Sequence, residues 1–213
     1  MTNPQYTAVA LLVDRSGSMA SIRRTAEDAI NEFIVGQATA AQQHGDKRTI
    51  RLAVFDHEYQ LIHHSREPGA IHTRFELEPR GSTALLDAMG QSIKDFGAEL
   101  AVMPPADRPA TVIYAVMTDG QENDSHIYRY NEIADMVRHQ EQAYGWQILY
   151  MGANQDAIAT GARLGVDQGR SITYTASDCG TSAVMDSMTN FVATASAGGP
   201  AVFTDQDRKD ATQ

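Results

Sequence analysis

The chain has 213 residues, of which 42% are hydrophobic and 21% charged, so it is long enough for one globular domain with a substantial core. Its formal net charge of −10 disfavours nucleic acid and anionic membranes as main partners, because phosphate contacts need clustered lysines and arginines. The single cysteine, Cys179, excludes internal disulfides and cysteine-rich zinc modules.

The first predicted element is a strand over residues 7–13, whose continuous apolar run is typical of a strand covered on both faces. This run stops at Asp14, so it is too short for the apolar part of a secretion signal or for a membrane span. It also follows no basic segment of the kind that begins a secretion signal. We therefore expect a cytoplasmic protein.

Helices and strands then alternate along the chain. The spacing of apolar residues predicts one helix over each of the ranges 18–43, 86–100, 130–137, 156–164 and 181–197. Short apolar runs predict strands over residues 50–55, 111–117, 146–151 and 171–174, with a hairpin arm over residues 59–64. We expect one domain over residues 1–200 and a disordered acidic tail over residues 201–213.

This alternation predicts an α/β fold with a doubly wound, mostly parallel six-stranded sheet and helices on both faces. The hairpin arm is expected to be the one antiparallel edge strand. In such sheets ligands bind beyond the carboxyl ends of the strands, where the strand order reverses. The loops after Val13, Met117 and Met151 are therefore the places to look for a binding site.

Two of these loops, and a third loop between them in sequence, carry clustered oxygen ligands. Asp14, Ser16 and Ser18 follow the first strand at alternate positions, Thr83 precedes a helix, and Asp119 ends the strand over residues 111–117. Carboxylate and hydroxyl oxygens are hard ligands that suit Mg²⁺, Mn²⁺ or Ca²⁺ better than zinc. The pattern predicts a divalent-cation site.

In their order and strand contexts, Asp14-x-Ser16-x-Ser18, Thr83 and Asp119 resemble the metal-ion-dependent adhesion site of von Willebrand factor type A domains. The resemblance covers about residues 6–197, and the segment from Trp146 to Gly165 is similar to that of small stand-alone bacterial and phage forms. It implies a Rossmann-like sheet and a protein-binding module. It also implies that the last helix moves when the metal gains a carboxylate.

The resemblance further implies a role for each residue. Ser16 and Ser18 would bind the ion, preferably Mg²⁺, directly through their hydroxyls, and Thr83 directly or through water. Asp14 would act as a ligand or through water, and Asp119 mainly through water. The sixth position would be left for water or for an Asp or Glu of a protein partner.

Several plainer alternatives stay open. Asp14 could be a turn residue and Ser18 a helix N-cap, and Asn154 or Asp156 could cap the following helix or face a partner. A metal-dependent phosphohydrolase and a metal-mediated self-assembly component are the alternative functions, although no known nucleophile, Walker or dinucleotide motif is present. The spacing of the histidines matches no zinc pattern, and Cys179 has no evident base partner.

Overall fold

The computed structural model describes residues 2–213. They contain one six-stranded sheet with the strand order β3-β2-β1-β4-β5-β6. The strands are β1 (Asn3–Asp14), β2 (Lys47–Phe55), β3 (Tyr59–Arg66), β4 (Pro109–Thr118), β5 (Gln147–Ala153) and β6 (Ser171–Tyr174). All neighbours pair in parallel except β2 and β3, whose antiparallel pairing makes β3 the edge strand. The predicted fold class is confirmed.

Helices cover both faces of this sheet. They are α1 (Arg23–His44), α2 (Leu85–Ala101), α3 (Tyr130–Tyr144), α4 (Ala157–Arg163), α5 (Asp178–Ser196) and α6 (Asp205–Asp210). One apolar core lies between the sheet and α1 with α5, and a second lies between the sheet and α2, α3 and α4. Successive residues from Ala8 to Val13 of β1 enter these two cores alternately, which is why this part of the strand is apolar at every position.

The helix predicted over residues 18–43 starts later in the structure. A short 3₁₀ helix, Gly17–Ser21, precedes α1, and Ile22 separates the two without any side-chain cap. Ser18 is therefore not the N-cap of α1. Its hydroxyl is used elsewhere, at the edge of the sheet.

Residues 201–213, for which we expected disorder, are folded against the domain. The Phe203 ring packs on Phe191 with centroids 5.7 Å apart, and Ala211 is fully buried. The carbonyl of Ala211 also accepts a hydrogen bond from the Thr175 N–H over 2.8 Å. The acidic composition of the segment concealed these apolar anchors, whose burial offsets the entropy of ordering it.

Within residues 2–213, no helix combines the length and the apolar character needed to cross a membrane.

Candidate metal centre

The predicted ligands come together because β1 and β4 are parallel neighbours. Val13 pairs with Met117, so Asp14 and Asp119 both leave the sheet at the same carboxyl edge. β1 also pairs with β2 on its other side, and β1 and β4 are where the strand order reverses. This is the position at which doubly wound sheets place their ligands.

The loop after β1 is folded around the Asp14 carboxylate. Asp14 Oδ1 accepts a hydrogen bond from the Ser16 N–H over 2.6 Å, and the Ser16 and Ser18 hydroxyl oxygens lie 3.1 Å apart. The Ser18 hydroxyl then donates to Asp119 Oδ1 over 2.6 Å. Side chains from the first and fourth strands therefore meet in one hydrogen-bonded group.

Thr83 approaches this group from a third loop. The space beside Gly120 lies close to the Thr83 hydroxyl and to two of the other side chains. A Cβ placed on Gly120 would lie 2.8 Å from Thr83 Oγ1, 3.2 Å from Asp14 Oδ2 and 3.3 Å from Ser16 Oγ. Three ligand oxygens thus surround one small space that only the absence of a side chain keeps open. We refer to Asp14, Ser16, Ser18, Thr83 and Asp119 as the metal centre.

The charges of the metal centre favour a cation. Asp14 is completely buried, and this burial raises the pKa of its carboxyl to about 6, with the nearby Asp119 charge adding to the effect. Burial also raises the pKa of Asp119. Within residues 2–213, no Lys, Arg or His side chain lies within ion-pair distance of either carboxylate. Two desolvated carboxylates with hydroxyl neighbours are a donor set that fits a hard divalent ion.

Sequence reasoning missed Thr118, which holds the Asp14 carboxylate from the other side. Its hydroxyl donates to Asp14 Oδ2 over 2.6 Å and accepts from the Gly120 N–H over 3.1 Å. The only signal in the sequence was its position, one residue before Asp119 at the end of a buried strand. Thr118 orients Asp14 and fixes the turn that leaves the space at Gly120.

A second omission concerns Arg15, to which the motif gave no role. Asp56 Oδ2 accepts hydrogen bonds from Arg15 Nε over 3.0 Å and from Arg80 Nε over 2.7 Å. Burial alone would raise the pKa of Asp56, but hydrogen bonds from the Glu58 N–H and Arg80, with the charges of both arginines, lower it. We call Arg15, Asp56 and Arg80 the Asp56 clamp.

The Asp56 clamp ties together the loops that supply the ligands. The backbone N–H of Arg80 donates to the Arg15 carbonyl over 2.7 Å, and that of Ala84 donates to the Asp56 carbonyl over 2.8 Å. The Gly17 N–H also donates to the Gly81 carbonyl over 3.2 Å. These bonds fix the loop that carries Thr83 against the loop that carries the two serines.

Another set of possible ligands lies beside the clamp. Single ligand atoms of Asp56, His57 and Glu58 all lie within 4.8 Å of one another. However, Asp56 is already paired with two arginines, whose positive charges oppose a second cation. His63 and His64 do not join this set in the part of the chain that the structure describes.

The loop after β5 contacts Gly120, beside the metal centre, through a residue that the motif did not single out. The Gln155 amide donates to the Gly120 carbonyl over 3.3 Å. The two residues beside Gln155 form hydrogen bonds away from the metal centre. Asp156 caps α4 by accepting a hydrogen bond from the Ala159 N–H. Asn154, which has a φ of 52°, accepts a hydrogen bond from the Ala176 N–H. The capping alternative is thus confirmed for Asp156.

Comparisons with solved structures give clear similarities of fold. The vWF domain of the type V pili tip protein Mfa5 from Porphyromonas gingivalis is 11% identical, with a TM-score of 0.65 over 94% of this chain and 98% of that one. A von Willebrand factor type A protein from Catenulispora acidiphila is 14% identical, with a TM-score of 0.61 over 88% of this chain and 43% of that one.

Proximal thread matrix protein 1 from the mussel byssus, with a zinc-occupied MIDAS motif, is 16% identical with a TM-score of 0.57. That match covers 86% of this chain and 45% of the mussel protein, so the chain spans less than half of two of these three relatives. No protein-family model and no curated protein sequence matches the chain. By its strand order and these structural similarities, the chain has the fold of von Willebrand factor type A domains.

Proposed function

We propose that this domain is a metal-dependent protein-binding module whose metal centre captures an Asp or Glu side chain of a protein partner. The observation that carries the proposal is the convergence of ligand oxygens from three loops on the space at Gly120. When bound, the cation supplies a positive centre that a partner carboxylate can coordinate. The residues of the chain hold this centre open and orient the oxygens around it.

We propose Mg²⁺ as the ion in the cell, with Mn²⁺ and Ca²⁺ as ions that the same oxygens can bind. The set contains two carboxylates and three hydroxyls and no nitrogen or sulfur, which favours hard cations. The mussel relative is described with zinc in its MIDAS motif, so zinc belongs among the ions to be compared.

The preference for an acidic partner follows from the charge of the metal centre. Its own residues contribute at most two negative charges, from Asp14 and Asp119, and both are held by hydroxyl donors. A further carboxylate would be attracted by the ion although the chain as a whole carries −10. That net charge also supports the proposal that nucleic acid and anionic membranes are not partners.

We further propose that the domain binds rather than catalyses. Both oxygens of Asp14 accept hydrogen bonds, from the Ser16 N–H and the Thr118 hydroxyl, and Asp119 accepts from Ser18. These hydrogen bonds hold the two carboxylates in place as metal ligands. Carboxylates held in this way are poorly placed to take a proton from water. Turnover of a generic phosphodiester by the magnesium-loaded protein that disappears in Asp119→Ala would overturn this part of the proposal.

The exposed, free Cys179 supports an intracellular location, because reducing compartments keep such thiols unpaired.

The first test is calorimetric titration of Mg²⁺ and Mn²⁺ into metal-free protein. We expect one site in the wild type and none in the Asp14→Ala/Ser16→Ala double variant. Ser18→Ala provides a milder test because Ser18 is exposed, and Ser21→Ala is its matched control on the same 3₁₀ helix. Among residues 2–213 the Ser21 hydroxyl donates only to the Ser18 carbonyl, so its loss should leave metal binding intact.

The second test asks whether the bound ion captures a carboxylate. Water-proton relaxation of the Mn²⁺-loaded protein is measured while N-acetyl-aspartate amide is added, with N-acetyl-asparagine amide as the neutral control. We expect only the carboxylate to lower the relaxation enhancement, because it displaces water from the ion. An equal response to both compounds would contradict acidic capture, and an unchanged light-scattering mass on adding Mg²⁺ would separate it from self-assembly.

A further inference from the structure

A separate cavity lies at the edge of the sheet opposite the metal centre. It has a volume of about 500 Å³ and is bounded by the C-terminal halves of α2 and α3 and by the starts of β4 and β5. Because β4 has 10 residues, each rising about 3.3 Å, the cavity is about 30 Å from the metal centre. Its volume is within the range of sites that hold small organic molecules.

The interior of the cavity is apolar. Ile93, Leu100, Val112 and Trp146 contribute buried side chains to its lining. Trp146 is only 4% exposed and is held by Phe96, with ring centroids 5.0 Å apart. A fixed aromatic surface of this kind suits an acyl chain or an aromatic ring.

Gly97 leaves room in the wall formed by α2. A Cβ at this position would have Gln140 Nε2 as its nearest neighbour, at 4.0 Å, so no close backbone approach requires a glycine there. Since glycine in a helix interior weakens the helix, its effect here is to widen the cavity. A methyl group at position 97 would therefore fit without a close contact, and we expect a larger side chain to fill this space.

The rim of the cavity is basic in an otherwise acidic protein. Lys94, Arg108 and His139 line it, and no Asp or Glu is among the lining residues within residues 2–213. The Lys94 ammonium lies 5.0 Å from the centroid of the Tyr128 ring and makes no ion pair with any described carboxylate. An anionic group that reaches the Lys94 ammonium would compete with this contact to Tyr128 but would displace no ion pair.

Arg108 adds to this rim while it completes α2. Its Nε donates to the Met103 carbonyl over 3.0 Å and its Nη2 donates to the Ala101 carbonyl over 2.7 Å. These bonds neutralise the carbonyl end of α2, which would otherwise repel an anion. The Nη1 group of Arg108 makes no hydrogen bond within residues 2–213 and is left for a ligand.

We propose that this cavity binds a small amphipathic carboxylate, with its apolar body against Trp146 and Gly97 and its carboxylate at Arg108, toward which the Lys94 ammonium turns from the Tyr128 ring. The juxtaposition of an apolar floor and an acid-free basic rim carries this inference. It concerns a ligand and a place on the domain that are distinct from those of the metal centre. It does not depend on metal binding.

The protein contains one tryptophan, so Trp146 fluorescence reports on this cavity alone. Decanoate is titrated below its micelle concentration, with decanol and decyltrimethylammonium as neutral and cationic controls of the same chain length. We expect a saturable change with decanoate and weaker responses to both controls. Equal responses to all three compounds, or no saturable change, would overturn the proposal.

Three variants locate the site. Gly97→Leu should abolish the decanoate response by filling the cavity, whereas Gly97→Ala should largely retain it. Lys94→Gln should weaken decanoate by about two- to fivefold, as expected for one exposed ion pair. Mg²⁺ binding at the distant metal centre and thermal unfolding verify that each variant is folded. A folded Gly97→Leu protein that still binds decanoate with wild-type affinity would place the ligand elsewhere.

Discussion

Arg15 Nε donates to Asp56 Oδ2 over 3.0 Å, and the two side chains are only 8% and 0% exposed. Arg15 directly follows Asp14, so this ion pair fixes the first ligand loop to the end of β2. The same carboxylate binds Arg80, in the segment leading to Thr83. One buried carboxylate therefore sets the relative position of two ligand loops without touching the space at Gly120.

We predict that Asp56→Asn weakens Mg²⁺ binding by about 10- to 100-fold, the range typical for residues that orient metal ligands. The reason is that the loops would lose their shared charged anchor. Calorimetric titration measures the change. Glu58→Gln is the matched control, because Glu58 also pairs with Arg80 but is 60% exposed. Wild-type magnesium affinity in a folded Asp56→Asn protein would limit Asp56 to a structural role.

Gly120→Ala should abolish metal binding. Its Cβ would occupy the space between Thr83 Oγ1 and Asp14 Oδ2, at 2.8 and 3.2 Å from them. Gly17→Ala is the control, since its Cβ would meet only the Gly81 carbonyl at an ordinary 3.6 Å. The comparison is made by Mn²⁺ titration. Retained binding in Gly120→Ala would show that the ion does not sit in this space.

The raised pKa of Asp14 predicts an unusual pH dependence for the metal-free protein. Its carboxyl titrates near pH 6 when folded and near its ordinary value of 3.8 when unfolded. The folded state therefore holds the proton more tightly, and stability falls as the pH rises through this window, by up to about 3 kcal/mol.

Asp14→Asn should remove the loss of stability that ionisation of Asp14 causes as the pH rises. In EDTA at pH 7.5 we expect the variant to be more stable than the wild type, and at pH 4 we expect the two to differ little. Urea unfolding at both pH values measures the free energies. A variant that is less stable than the wild type at pH 7.5 would mean that the hydrogen bonds of Asp14 outweigh its desolvation.

Adding metal should reverse the loss of stability that the ionised Asp14 carboxylate causes in the metal-free protein. Mg²⁺ at one hundred times its dissociation constant should raise the free energy of unfolding of the wild type by about 2.7 kcal/mol. EDTA should remove this gain, and Asp14→Asn should not show it. Thermal unfolding with and without the ion provides the measurement, and an equal shift in the variant would point to a second metal site.

The fold and the grouping of the five predicted ligands were accessible from the sequence because each has a local signature. Asp14, Ser16 and Ser18 form a compact motif, and Asp119 closely follows a strand whose residues 112–117 are all hydrophobic. The Asp56 clamp has no such signature, since its Arg15–Asp56 pair is separated by 41 positions and depends on strand neighbours. Thr118 was missed because one hydroxyl at a strand end is too common to stand out.

The folded C-terminal segment has a consequence for the edge of the sheet. β6 is the outermost strand, and Arg208 donates to the carbonyls of Ser171, over 2.6 Å, and Gln168, over 2.9 Å. The Ala211 carbonyl takes up the Thr175 N–H just beyond the strand. Removing residues 201–213 would free these groups at an edge strand and uncover the apolar surface under Phe203. We therefore expect this segment to protect the domain from strand-to-strand aggregation.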